Sequence, residues 1–151
     1  MSEKMRMMIS KALKMTISLS KDLVAVVKEQ DAVFLKNRVK EVAVKIKMGL
    51  VNQTRLITAA SELVRNMLRY ANGGNCLIEV VSSGRINGVR LTFTDRGPGI
   101  PDIAQAMRDG FSTGRSLGLG LPGAKRLVNE FDIKSAVGEG TTVTILKWSN
   151  G

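Results

Sequence analysis

The chain has 151 residues, 44% of them hydrophobic, and a net charge of +10, the size and composition of one globular domain with one core. It contains no histidine and one cysteine, Cys76, which excludes Ser-His catalysis, a phosphohistidine on this chain, His-ligated metal and an internal disulfide, and suits a reducing cytoplasm. No apolar run approaches the ~20 residues that span a bilayer, no secretory leader is evident, and with aromatics at 4% and no nucleic-acid motif, neither integral membrane association nor nucleic acid is expected.

Residues 1–20 read as a basic N-terminal extension ahead of a domain covering 21–151. In the extension Met5, Met8, Ile9, Ala12 and Leu13 recur at helical spacing, with Lys4, Arg6, Lys11 and Lys14 between them. That is the pattern of a basic amphipathic helix or of a disordered tail. The apolar, β-branched run Leu23 to Val27 predicts a short strand. Asp31 is placed to N-cap a helix in which Leu35, Val39, Val42 and Ile46 share one face, and Gly49 marks its stop.

A longer helix is predicted from about Asn52 to Asn72. Leu56, Ile57, Ala60, Leu63, Val64, Met67 and Leu68 form its apolar stripe. Gly73-Gly74 ends it. Cys76 to Ser82 and Val89 to Thr94 read as strands around a turn at Ser83 to Gly88. A short helix is expected at Ile103 to Arg108. Another is expected from about Gly120 to Glu130, burying Leu121, Ala124, Leu127, Val128 and Phe131. Ile133 to Val137 and Thr142 to Trp148 close the chain as two strands joined at Gly138-Glu139-Gly140. The sum is an α/β (α+β) two-layer sandwich, a mostly antiparallel mixed sheet with helices on one face.

Four local patterns carry chemistry. At 100° per residue, Glu62, Asn66 and Arg69 fall on one narrow arc opposite the apolar stripe. The amide oxygen of Asn66 can supply one ligand to Mg²⁺, with phosphate oxygens and water supplying the rest. The carboxylate of Glu62, one turn earlier, can orient or deprotonate an attacking hydroxyl. Asp95 ends a strand and runs into Gly97-Pro98-Gly99, where a carboxylate can accept from an exocyclic amine such as that of adenine and the glycines let backbone approach a base. Taken alone, this block is equally a plain turn. Gly118, Gly120 and Gly123 precede or enter a helix and can offer N–H groups to phosphates, although the Lys-Ser/Thr ending of a Walker loop is missing. Arg115 can clamp a terminal phosphate, and Thr141 follows Gly140 at a strand start.

In this order the patterns resemble the asparagine box and three glycine boxes of the GHKL (Bergerat-fold) ATP-binding superfamily, which includes gyrase-type ATPases, histidine kinases and anti-sigma-factor serine kinases. The stretch from Asp95 to Trp148, with its short lid and GLPG block, is most similar to switch serine/threonine kinases of bacterial stressosomes.

The resemblance implies that Asn66 coordinates Mg²⁺ on ATP and that Glu62 is the general base toward a protein hydroxyl. It implies that Asp95 binds the adenine amine in a pocket shaped by Gly97 and Gly99. Gly114, Gly118, Leu119 and Gly120 would form the lid over the phosphates, and Thr141 would support the adenine end. It further implies a STAS-domain substrate and a PP2C-type phosphatase as second partner. An anti-sigma module that holds ATP and binds a sigma factor through the Lys/Arg-rich helix near 36–47 is the alternative.

Overall fold

The structure is a computed structural model that describes residues 2–5, 16–108 and 120–150. Among the described residues from Ile17 onward, nine elements run in the order β1 (Ile17–Val26), α1 (Glu29–Lys45), α2 (Leu50–Tyr70), β2 (Gly74–Ser83), β3 (Ile86–Asp95), α3 (Ile103–Ala106), α4 (Gly120–Arg126), β4 (Glu130–Ala136) and β5 (Gly140–Trp148). The strands form one sheet in the order β1-β2-β3-β5-β4, and every pairing is antiparallel. The expected sandwich is therefore present, with no parallel pair among its described strands.

The period-2 alternation of each strand decides which face is dry. Val24 and Val26 on β1, Cys76 and Ile78 on β2, Val89, Leu91 and Phe93 on β3, and Val143 and Ile145 on β5 all enter one cluster. Leu35, Val39 and Ala43 of α1, Leu56, Ala60, Leu63 and Met67 of α2, and Ala124 of α4 complete it. The helices thus share one face, and burial there drives the fold at about 1.5–3 kcal/mol per fully covered large side chain. The lone thiol of Cys76 lies inside this layer, where burial pushes its pKa up and keeps it protonated.

Several boundaries differ from the sequence expectation. β1 begins at Ile17, so residues 17–20 belong to the sheet, where Ile17 pairs with Ser82 and Ser18 with Val81. The helical pattern at residues 6–15 lies outside the described residues. Asp31 is not the N-cap of α1 but its third residue. Its Oδ2 accepts from the backbone N–H groups of Val27 at 2.9 Å and Lys28 at 3.1 Å, so from the third helical position it reaches back to the N–H of the N-cap residue and of the residue before it. These bonds hold its carboxyl below the usual range.

The helix expected to reach Glu130 stops at Arg126. Asn129 N–H already donates to the Leu146 carbonyl at 2.9 Å, and Phe131 and Ile133 join the core cluster from β4. Phe131 fits both periods, three and four residues after Val128 and Leu127 and two before Ile133, and pairing with β5 selects the strand for it.

Candidate functional site

Helix α2 crosses the sheet and brings the predicted polar arc against α4, with a result that the helical wheel misses. Glu62 is not on an open solvated face; it is only 6% exposed. The N-terminus of α4 covers it, and the Gly120 N–H donates to Oε2 at 3.2 Å. Its other oxygen meets Arg65 Nη1 at 3.4 Å, and that arginine side chain is 48% exposed. A helix with one apolar stripe is here covered on a second side. The free N–H of a helix start suits a carboxylate where solvent is excluded.

Asn66 stands one turn further along α2, about 6 Å along the axis, and is half-buried. Arg69 turns outward, its guanidinium 5.9 Å from the centroid of the Tyr70 ring. The arc therefore separates into a covered acid, a half-covered amide and an exposed cation.

The second cluster is a row across the end of the sheet, on the helix-covered face. Gly74 pairs with Asp95, Asp95 with Thr141, and Thr141 with Ser135. Asp95 Oδ1 accepts from Gly97 N–H at 2.9 Å and from Thr141 N–H at 3.2 Å. Both bonds end on one oxygen, which leaves Oδ2 as an acceptor for a ligand.

Gly97 passes so close to the end of α2 that a Cβ there would lie 2.5 Å from the Ala71 Cβ. Only glycine lets this loop bring Asp95 beneath the helix. Gly140 is held more tightly still, at φ +88, where a Cβ would lie 2.1 Å from the Asp95 carbonyl oxygen. Gly99 has φ +78 and abuts Ala136. The two loops that flank the row are thus closed against each other by backbone contact.

Ser135 is the residue that the sequence reading missed. Its Oγ accepts from Ile100 N–H at 2.8 Å, donates to the Gly140 carbonyl at 3.0 Å and lies 2.7 Å from Thr141 Oγ1. The signal was present. A small hydroxyl residue sits at the two-residue pitch of Phe131 and Ile133, where an aliphatic side chain would continue the core.

Gly114, Arg115, Gly118 and Leu119 lie outside the described residues. Gly120 is described, and it opens α4 with φ +67. Among the described residues no group of three or more His, Cys, Asp or Glu side chains could cage a metal. Asn66 can offer a single oxygen. That donor set fits Mg²⁺ carried in on nucleotide phosphates, since Mg²⁺ commonly keeps several waters and takes only one or two protein ligands. No helix among the described residues is long and apolar enough to cross a membrane.

Comparison with known proteins bears on the family and the fold. Residues 51–149 match the family described as histidine kinase-, DNA gyrase B-, and HSP90-like ATPase. The serine/threonine-protein kinase RsbT of Bacillus subtilis is 45% identical over 125 residues, covering 83% of this chain and 94% of that one. The anti-sigma F factor of Geobacillus stearothermophilus is 33% identical over 99 residues, covering 62% of this chain and 68% of that one. Among solved structures, the RsbU and RsbW domains of Rv1364c from Mycobacterium tuberculosis superpose with a TM-score of 0.60 at 20% identity, over 85% of this chain and 32% of that one. The mycobacterial sensor histidine kinase MprB gives a TM-score of 0.52 at 18% identity, over 85% of this chain and 97% of that one. These last two likenesses speak for the fold alone. The order of the boxes, the antiparallel sheet beneath α2 and the match over residues 51–149 together make the chain a member of the histidine kinase-, DNA gyrase B- and HSP90-like ATPase family.

Proposed function

We propose that this protein is an ATP- and Mg²⁺-dependent protein serine/threonine kinase that phosphorylates a STAS-domain partner in a bacterial stress-signalling switch and then binds and activates a PP2C-type phosphatase. Family membership implies ATP binding. The likeness to the kinase RsbT over 94% of that chain supports the transfer to a protein hydroxyl. The observation that carries the reading is Glu62, a covered carboxylate facing the N-terminus of α4, with one backbone N–H and one partly exposed arginine as its partners.

In this reading Asp95 and Thr141 hold the adenine end, with Gly97 and Gly99 shaping its pocket. Gly114, Arg115, Gly118, Leu119 and Gly120 close over the phosphates. Asn66 contributes its amide oxygen to Mg²⁺, which when bound neutralises charge on the phosphates. Glu62 accepts the proton of the attacking serine or threonine as its oxygen bonds to the γ-phosphorus and the bond to the β-phosphate oxygen breaks, releasing ADP. The phosphoserine adds about 1.5–2 negative charges, enough to undo a matched contact and release the kinase to its second partner.

The test is transfer of label from γ-labelled ATP to a STAS-domain protein from the same organism, with Asn66→Ala as control. Label on a serine or threonine that is lost in the variant is the expected result. ATP binding without transfer would overturn the kinase reading. It would favour a module that holds ATP while gripping a sigma factor, the reading to which the anti-sigma relatives point.

A further inference from the structure

Ser135 Oγ has three hydrogen-bond partners, and the arrangement constrains where its proton lies. A serine hydroxyl has one proton and two lone pairs. Ile100 N–H takes one lone pair, at 2.8 Å, and the Gly140 carbonyl lies in position to take the proton, at 3.0 Å. The contact with Thr141 Oγ1, at 2.7 Å, is open to either donor by geometry, and one assignment satisfies every partner. Thr141 donates its proton to the remaining lone pair of Ser135. The reverse assignment deprives the Gly140 carbonyl of this donor and leaves the Thr141 proton without an acceptor among the described residues, a cost that part-buried polar groups avoid.

The consequence falls on Thr141. Its only proton is committed to Ser135, so its oxygen presents lone pairs alone. The neighbouring Asp95 is also an acceptor, and its Oδ1 is already engaged by the Thr141 and Gly97 N–H groups. The row at the sheet end therefore offers two acceptors side by side and no hydroxyl donor. Such a pair suits an exocyclic amine and opposes a carbonyl oxygen in the same place.

We infer that Ser135 is a specificity-determining positioning residue: by holding the Thr141 proton it makes the base pocket select a 6-amino purine over a 6-oxo purine. The inference rests on the proposed placement of adenine at Asp95 and Thr141. Without the Ser135 hydroxyl, Thr141 regains a free proton and can donate to a 6-oxo group. Ser135 also ties the loop after Gly99 to the β4–β5 turn, so its removal has a second, unselective effect that the test must separate.

The experiment is equilibrium competition of ATP and inosine triphosphate against a fluorescent ATP analogue, on the full chain with Mg²⁺. The two competitors differ at position 6 of the purine and, with it, in the proton that the 6-oxo form carries on N1. The proteins compared are the wild type, Ser135→Ala and Ser135→Thr, each checked by thermal melting. In Ser135→Ala the preference for ATP is expected to fall about 10-fold, chiefly through tighter binding of inosine triphosphate. Ser135→Thr keeps a hydroxyl and should restore the preference. Loosened loops alone would weaken both nucleotides equally and leave the ratio unchanged; that result overturns the inference while the adenine site stands. A wild type with no preference would instead remove the adenine placement itself.

Discussion

Among the described residues, two carboxylates are nearly shut off from water, and their surroundings set them apart. Glu79, 4% exposed, lies on the sheet face away from the helices. Arg90 grips it with two bonds of 3.1 Å each, and Ser18 Oγ donates at 2.7 Å. Glu62, on α2, has one backbone N–H and one long arginine contact. A buried charge with its lone pairs filled is a staple, because moving a proton onto it means breaking bonds already made. A buried charge with few partners keeps capacity for a ligand or a proton. Burial alone does not distinguish the two; the partner count does.

The largest expected effect breaks this comparison most directly. Glu62→Gln should reduce phosphoryl transfer by about 10²–10⁴-fold while nucleotide still binds. An unchanged transfer rate would remove Glu62 from the chemistry and leave two structural acids. Next comes the staple. Arg90→Met should cost about 2–3 kcal/mol of stability, since it strands the Glu79 charge, with the folded state's nucleotide affinity retained. A chemical melt that matches wild type would show the pair to be dispensable.

The same staple has a pH signature. Arg90 holds the Glu79 carboxyl below its ordinary value of 4.5. Its contribution is therefore fully present above that value and fades as pH falls through the lower, folded pKa. The stability gap between wild type and Glu79→Gln should be widest above about pH 5 and shrink below 4.5. A gap that stays constant to pH 3 would contradict this account.

Smaller effects sharpen the contrast at the nucleotide end. Asp95→Asn replaces an acceptor-only group with one that can also donate. It should lower the preference for adenine over guanine nucleotides about 10-fold, read by competition binding. The smallest change lies away from both carboxylates. Lys47 follows α1 with φ 63, a conformation that glycine adopts without strain. Lys47→Gly should therefore stabilise by about 0.5–1 kcal/mol in a thermal melt, with transfer unaffected.

The sequence by itself determined the layer architecture, because period-2 and period-3.6 apolar patterns commit each segment to one dry face. It also marked Glu62, Asn66, Asp95 and the glycine blocks as candidates, because their residue types carry the chemistry and their order along the chain resembles a known family. Tertiary structure decided what periodicity cannot encode. The strand at Phe131 was selected by pairing with β5, since Phe131 satisfied both periods. The burial of Glu62 came from α4, an element more than fifty residues away that a wheel drawn for α2 alone leaves out. Ser135 became a hub only when β4 paired with β5, because that register sets its hydroxyl beside Thr141 and the Ile100 N–H. Each of these depends on contacts between distant segments, and a local pattern carries no record of which distant atom will fill a given lone pair.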